Sequence, residues 1–315
     1  MCTVEVHKSS ILVPRRLRVG DTVRFVSPAS TPTRDGLERS VRMLTDLGLI
    51  CQIAPHALDE HRYMAGTDED RLADLNDALR DPGVQAIFAT RGGKGAYRIA
   101  DGLDFAAARA NPKILLGFSE ITILHLALLK HARVAGIHGA PWDAESFGAA
   151  TAASFRQAVF TTEPITIRSI AHEPTSALTT GGVATGPLIG GNQDSIATAA
   201  GWGLPSFEGA ILLLESVNMR LGHVDRQLTM LRNAGHLRGI VGVAVGQYTN
   251  CGPESFEPPE WSVVDVLRDR LCSLGVPVLG GLPIGHGPSP IAVPIGTIAT
   301  LDADAGQLRV EAGVS

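Results

Sequence analysis

Three residues of the 315-residue chain have the types that acyl-transfer chemistry needs: Ser119, Glu215 and His286, in that chain order. A hydroxyl can attack a carbonyl, an imidazole can take its proton, and a carboxylate can hold the imidazole. Ser119 lies in "ILLGFSEITILHLALL" (114–129), where an apolar strand meets a turn and then a helix. Such a turn lifts a side chain clear of a sheet and aims backbone N–H groups at whatever sits above it. The same serine would also serve as a helix N-cap, with Thr122 three residues on. Ile121 stands where G-x-S-x-G needs its last glycine, so an α/β-hydrolase elbow is disfavoured. Glu215 ends the apolar run "ILLLESVN", at a strand's carboxyl end where α/β proteins place their sites; it also reads as an ordinary exposed strand-end glutamate. His286 sits in "GLPIGHGPSPIAVPIG" (281–296), whose glycines and prolines fix a side chain without regular structure.

A fourth feature is "TRGGKGAYR" (90–98), directly after the strand-like "VQAIFA". Closely spaced glycines let a backbone approach a ligand and expose its amides. The loop fits neither G-x-x-x-x-G-K-[ST] nor G-x-G-x-x-G. It reads as a phosphate cradle, an oxyanion hole or a plain tight turn. His125 and His131 fall in the helix after Ser119 and read as packing or surface residues; His138 lies close enough to the site to keep in view. The histidines lack HxxxH spacing and a neighbouring carboxylate pattern, so neither a metal nor another cofactor is expected. Trp142 in "HGAPWDAES" could line a cleft or simply pack. Asp225 and Arg226 open a helix and read as a local ion pair.

The elements that must position these residues alternate. Residues 22–30, 84–89 and 113–117 read as strands; 34–49, 68–81 and 119–132 read as helices; and a further helix is expected after the glycine loop, before residue 103. Such alternation implies a parallel sheet covered on both faces. From about 150 to 182 the chain turns to Ser, Thr, Ala and Gly with weak periodicity. We expect a nucleophile domain over 1–165, a linker over 166–181, and a second domain over 182–315 carrying Glu215 and His286. That domain should hold strands near 209–216 and 240–249, and a hairpin over 297–311 turning on Asp304-Ala305-Gly306.

Composition bounds the partners. Hydrophobic residues make up 44% and charged residues 19%, a globular balance, and the net charge of −5 gives no reason to expect nucleic acid or an anionic membrane. No apolar run approaches the roughly 20 residues that span a bilayer. The polar start lacks an apolar signal core, and Cys2, Cys51, Cys251 and Cys272 lack metal-type spacing. A cytoplasmic setting is expected.

"RGGKG", "GFSEIT", "GPLIGGNQDSI", "ILLLESVN…HVDRQLTMLRNAG", "GIVGVAVGQYTNC" and "PIGHGPSPIAVPIGTIATLD" occur in the order found in the LD-carboxypeptidase family of serine peptidases. That family also contains the microcin C self-immunity proteins, and the resemblance covers nearly the whole chain. It implies a Ser119–His286–Glu215 triad and an oxyanion hole from the Gly93 and Glu120 amides. It implies substrate contacts at Arg91, Gly92, Asn192 and Trp142. A flavodoxin-like N-terminal domain, a smaller C-terminal α/β domain with the site between them, and a homodimer are implied as well. The substrate would be a small peptide ending in a D-amino acid, or a peptidyl or aminoacyl nucleotide in the microcin branch. Outside that family, the RGGKG loop suits a non-catalytic anion-binding protein. Lys94, Phe118, Glu120 and Ser216 depart from the family's usual residues, and all four are expected around the pocket.

Overall fold

The computed structural model describes residues 11–142, 144–253 and 261–315; Cys2 lies outside them. The strands among them are β1 (Thr22–Val26), β2 (Ile50–Ile53), β3 (Val84–Ala89), β4 (Ile114–Gly117), β5 (Gly136–His138), β6 (Ile165–Arg168), β7 (Val183–Asn192), β8 (Ile211–Val217), β9 (Gly242–Thr249), β10 (Val278–Leu279), β11 (Val293–Ile295), β12 (Ile298–Asp302) and β13 (Gln307–Val310). The α-helices are α1 (Arg34–Asp46), α2 (Asp68–Arg80), α3 (Phe105–Ala110), α4 (Thr122–His131), α5 (Ala144–Phe147), α6 (Ala149–Phe160), α7 (Gln193–Thr198), α8 (Leu221–Asn233) and α9 (Val263–Leu271).

Two sheets form. The first runs β11-β5-β4-β3-β1-β2, parallel except for β11. Its parallel part has the 2-1-3-4-5 order of flavodoxin-like folds. The second runs β10-β9-β8-β7-β12-β13-β6, parallel from β7 to β10 and antiparallel beyond. The α/β class and two-part architecture are therefore as expected, and the 297–311 hairpin is β12–β13. The chain crosses between the sheets three times: from β5 to β6, from β10 to β11, and from β11 back to β12. β6, which straddles the expected boundary between the nucleophile domain (1–165) and the linker (166–181), pairs with β13 at the edge of the second sheet. β11, from the C-terminal half, pairs with β5 of the first.

The expected helix after the glycine loop is instead two short 3₁₀ turns, Ala96–Arg98 and Ala100–Gly102. Gly95 at φ 122° breaks any continuous helix, and the Gly95 and Ala96 amides are taken by a carboxylate, described below.

Helix α4 explains the lack of period in "TILHLALLKH". Residues Thr122 to Leu129 are all buried. Leu126 packs with Ile189 and Ile196 of the second half, while Ile123, Leu124 and Ala127 pack within the first. A helix covered on both sides needs no polar stripe until its end. The nucleophile candidate thus sits at the start of the helix wedged between the two halves.

One consequence concerns acid stability. His125, fully buried in α4, places Nε2 3.2 Å from the Leu115 carbonyl, and burial pulls its pKa down to about 4. Because the unfolded ring binds its proton near 6.5, the stability from keeping it neutral is present above pH 6.5 and is lost as pH falls toward 4. That is about 3 kcal/mol over the window. Melting temperature should drop steadily from pH 6.5 to 4, and His125→Gln should flatten the slope; a wild-type curve flat over that range contradicts the account.

Candidate active site

Ser119 is held in an unusual backbone state. Its φ is +60°, in the left-handed region that non-glycine residues seldom occupy. Such a conformation costs on the order of 1–3 kcal/mol and persists only where the surroundings impose it. Here β4 ends at Gly117, where a Cβ would strike Ile121 at 2.5 Å, and Ser119–Ile121 forms a 3₁₀ turn running into α4. The serine side chain caps neither this turn nor α4.

The glycine loop lies directly against it. A Cβ on Gly92 would sit 2.8 Å from Ser119 Cβ and 3.1 Å from its Oγ, so only glycine fits. Gly93 follows at φ +113°, and its amide is bound by no backbone carbonyl among the described residues. Three side chains fix the loop. Ser30 Oγ accepts from the Lys94 amide at 3.1 Å and donates to the Tyr63 carbonyl at 2.7 Å. Glu120, next after Ser119 and buried, accepts from the Gly95 amide at 2.8 Å and the Ala96 amide at 3.1 Å. Burial raises its pKa, and the amide hydrogen bonds and Lys94 oppose that rise. Arg71 of α2, with a fully buried guanidinium, donates to the Pro28 carbonyl at 2.6 Å and the Gly95 carbonyl at 2.9 Å.

The second half supplies the other two groups. Glu215, fully buried in β8, sits where the β8–β9 register shifts; irregularities of this kind re-aim side chains at strand ends. Its Oε2 lies 2.7 Å from His286 Nδ1. A carboxylate can only accept from Nδ1–H, which leaves Nε2 as the basic nitrogen. The Gly-His-Gly sequence around the imidazole is sterically required. A Cβ on Gly285 would lie 2.8 Å from Glu215 Oε2, and one on Gly287 2.1 Å from Gln247 Nε2. The Gly287 amide donates to Gln247 Oε1 at 2.8 Å, tying the loop to β9.

The halves meet through Phe118, the residue before the serine. Its ring lies 4.9 Å from the His286 ring, 6.1 Å from His138 and 5.6 Å from Trp142. The Ser119 hydroxyl donates to no described residue, His286 included. Such links commonly tighten only when substrate binds.

Other expected residues fall as follows. Arg91 is exposed on the loop and donates to the Thr31 carbonyl at 3.2 Å. Asn192 ends β7 in register with Glu215; its side chain caps α7, and Ser195 Oγ reaches both Asn192 Oδ1 and the Ser119 carbonyl. Trp142 is 4% exposed and backs Phe118. Lys94 reaches across to Asp194 at 3.4 Å, both exposed. Ser216 is not at the pocket: alternation along β8 turns it away from Glu215, and it is buried against Met219. The Asp225 ion pair is not local; its partner is Arg270 of α9 at 2.5 Å.

Arg71 and Gln247 went unrecognised in the sequence. Arg71 had a signal, since it shares a helical face with Leu75 and Leu79, where a charge needs a buried partner. Among the described residues, only His56, Asp59 and Asp70 bring three metal-type ligand atoms together. They are already engaged: His56 bonds Asp59 at 2.8 Å and Thr67 donates to Asp70.

Comparison with known proteins adds to this geometry. Residues 23–139 match the family model described as LD-carboxypeptidase N-terminal domain, and 185–301 that of its C-terminal domain. The "Probable murein peptide carboxypeptidase" of Bacillus subtilis is 35% identical, covering 96% of this chain and 95% of its own. The murein tetrapeptide carboxypeptidase of Pseudomonas aeruginosa is 32% identical, covering 90% and 93%. Among solved structures, the MccF-like protein from Bacillus anthracis superposes with a TM-score of 0.82 at 23% identity, over 96% of this chain and 99% of that one. MccF itself is the microcin C7 self-immunity protein.

Proposed function

The chain belongs to the LD-carboxypeptidase family, and from that premise we propose that it is a serine carboxypeptidase cleaving the amide between an L-centre and a terminal D-amino acid, as in murein tetrapeptide. The observation that carries the mechanism is the buried 2.7 Å Glu215–His286 hydrogen bond, with His286 packed on Phe118, the residue before a serine held at positive φ against a glycine loop. In this reading Ser119 Oγ attacks the scissile carbonyl and His286 Nε2 takes its proton. Glu215 keeps Nδ1 protonated and stabilises the imidazolium. The oxyanion is received by the Gly93 and Glu120 amides. His286 then returns the proton to the departing amine, and a water activated by the same nitrogen releases the acyl group from Ser119. Arg91, Gly92, Asn192 and Trp142 frame the substrate, with Arg91 and Lys94 giving the mouth of the loop positive charge suited to a terminal carboxylate. The working unit is a homodimer, to be checked by sedimentation.

The murein reading is favoured over the microcin-type one because relatives named murein peptidases stand at 32% and 35% identity over nearly their whole length. Incubation with murein tetrapeptide should release D-alanine, detected by mass spectrometry. No release, with cleavage of an aminoacyl sulfamoyl adenylate instead, would move the assignment to the microcin branch. No hydrolysis of either, and no labelling of Ser119 by a serine-reactive phosphonate, would return a non-catalytic anion-binding protein.

A further inference from the structure

Glu215 of the triad and His138 beside it are buried and have side-chain atoms without partners among the described residues. Glu215 sends Oε2 to His286, while its Oε1 has no hydrogen-bond partner, and His138 has none at either ring nitrogen. They face one another, with His138 Nε2 4.0 Å from Glu215 Oε1. A buried carboxylate oxygen left unmet is costly, and native structures rarely tolerate one. His138 ends β5 of the first sheet and Glu215 lies in β8 of the second, so the pair spans the junction that also brings Phe118, next to Ser119, against His286.

The imidazole is seated for this partner. Its backbone is held between Gly117 of β4 and Val293 of β11, and its ring meets that of Phe118 nearly at right angles. Its Nδ1 faces Gly191, where a Cβ would stand 3.0 Å away; glycine at φ +137° leaves the ring its space. Among the described residues, the donors near Glu215 are engaged elsewhere. The Tyr248 hydroxyl, near Glu215, is spent on Gln193 Oε1 at 2.7 Å, and the Cys251 thiol on the Thr249 carbonyl.

We propose that His138 is a positioning residue for the triad, its neutral ring donating Nε2–H to Glu215 Oε1 so that an imidazole holds each carboxylate oxygen and Oε2 stays aimed at His286. The 4.0 Å gap is about 1 Å beyond a direct hydrogen bond, closed by a small approach of the two sheets or by one bridging water. Burial, with His125 and His286 nearby, keeps the His138 pKa well below its ordinary value, so the donor carries no charge. The groups facing the pair are His125, His286, Tyr248 and Cys251.

This proposal rests on the triad reading, and its test separates the two. Without the donor, anionic Glu215 is less stabilised, so the Glu215–His286 pair takes up its first proton more readily. In His138→Leu the acid limb of the kcat/KM–pH profile should move to higher pH. kcat should fall roughly ten- to hundredfold with KM little changed, and His138→Gln, which keeps an N–H donor, should recover most of both. An unmoved limb in a cooperatively melting His138→Leu protein, with Ser119→Ala inactive, overturns the role of His138 while leaving the triad standing. Activity in Ser119→Ala would instead refute the triad itself. Should the leucine variant fail to fold, ¹⁵N NMR of histidine-labelled wild type gives a second readout. His138 should stay the neutral Nε2–H tautomer well below the pH at which an ordinary imidazole takes up its proton, and an Nδ1–H tautomer or a charged ring there overturns the proposal.

Discussion

Ser119→Ala should lower kcat/KM toward murein tetrapeptide by about 10⁴ to 10⁶ while the melting temperature stays within a few degrees of wild type. The size follows from what is removed: without Oγ, neither His286 nor the oxyanion-binding amides have a covalent step to assist. The serine's strained backbone is imposed by Gly117, Gly92 and the 3₁₀ turn rather than by its hydroxyl, so alanine inherits the same geometry and folding is hardly touched. His286→Ala should fall into the same range, and the Ser119→Ala, His286→Ala double variant should be no worse than either alone, because the two act as one unit. Additive losses on the logarithmic scale would mean that the two residues act independently. Full activity in Ser119→Ala would end the nucleophile assignment. The measurement is single-turnover release of the terminal amino acid, with circular dichroism to confirm the fold.

What could be read from the sequence depended on how local the cause was. β3, β4, β8 and β9 are apolar runs closed by turn residues, and α1 and α2 carry Thr33 and Thr67 as N-caps; such signals act within a few residues and were legible. The glycine turn was legible too, but not the loss of the helix after it. The acceptor that takes the Gly95 and Ala96 amides is Glu120, some 25 residues downstream. β6 and β11 were hidden for the same reason, since each joins a sheet through a distant partner, Gln307–Val310 or Gly136–His138. At the site, the residue types Ser, Glu and His announced their chemistry. The groups around them were less open to reading: the spacing of Arg71 with Leu75 and Leu79 marks it as buried but not the Pro28 and Gly95 carbonyls it bonds, Gln247 acts on the distant Gly287 amide, and His138 drew notice by its position alone.

Arg71 makes that dependence measurable. Its guanidinium has no exposed surface, and it joins the ends of two strands: Pro28, just beyond β1, and Gly95, in the loop beyond β3, both receive hydrogen bonds from Nη1. Nε donates to the Thr67 carbonyl at the head of α2, and Nη2 pairs with Asp68. Arg71→Met keeps much of the volume and removes every donor. Asp68 retains Arg98 at 2.6 Å, so the penalty comes mainly from the abandoned carbonyls; with about 1–3 kcal/mol for each unmet buried group, the variant should lose about 3–5 kcal/mol of stability. Arg71→Lys should recover only part of this, since one ammonium cannot copy the planar fork. The kinetic effect is more diagnostic. Arg71 bonds the Gly95 carbonyl two residues beyond Gly93, so its loss should misplace the amide proposed to receive the oxyanion and lower kcat about a hundredfold, with KM changing far less. Lys94→Ala makes the contrast: its bridge to Asp194 is exposed and worth under about 1 kcal/mol, so stability and kcat should stay near wild type, and the lost charge at the mouth of the loop should show in KM alone. If Arg71→Met, assayed well below its melting temperature, raised KM and spared kcat, the loop would be a binding element and the oxyanion would need another donor.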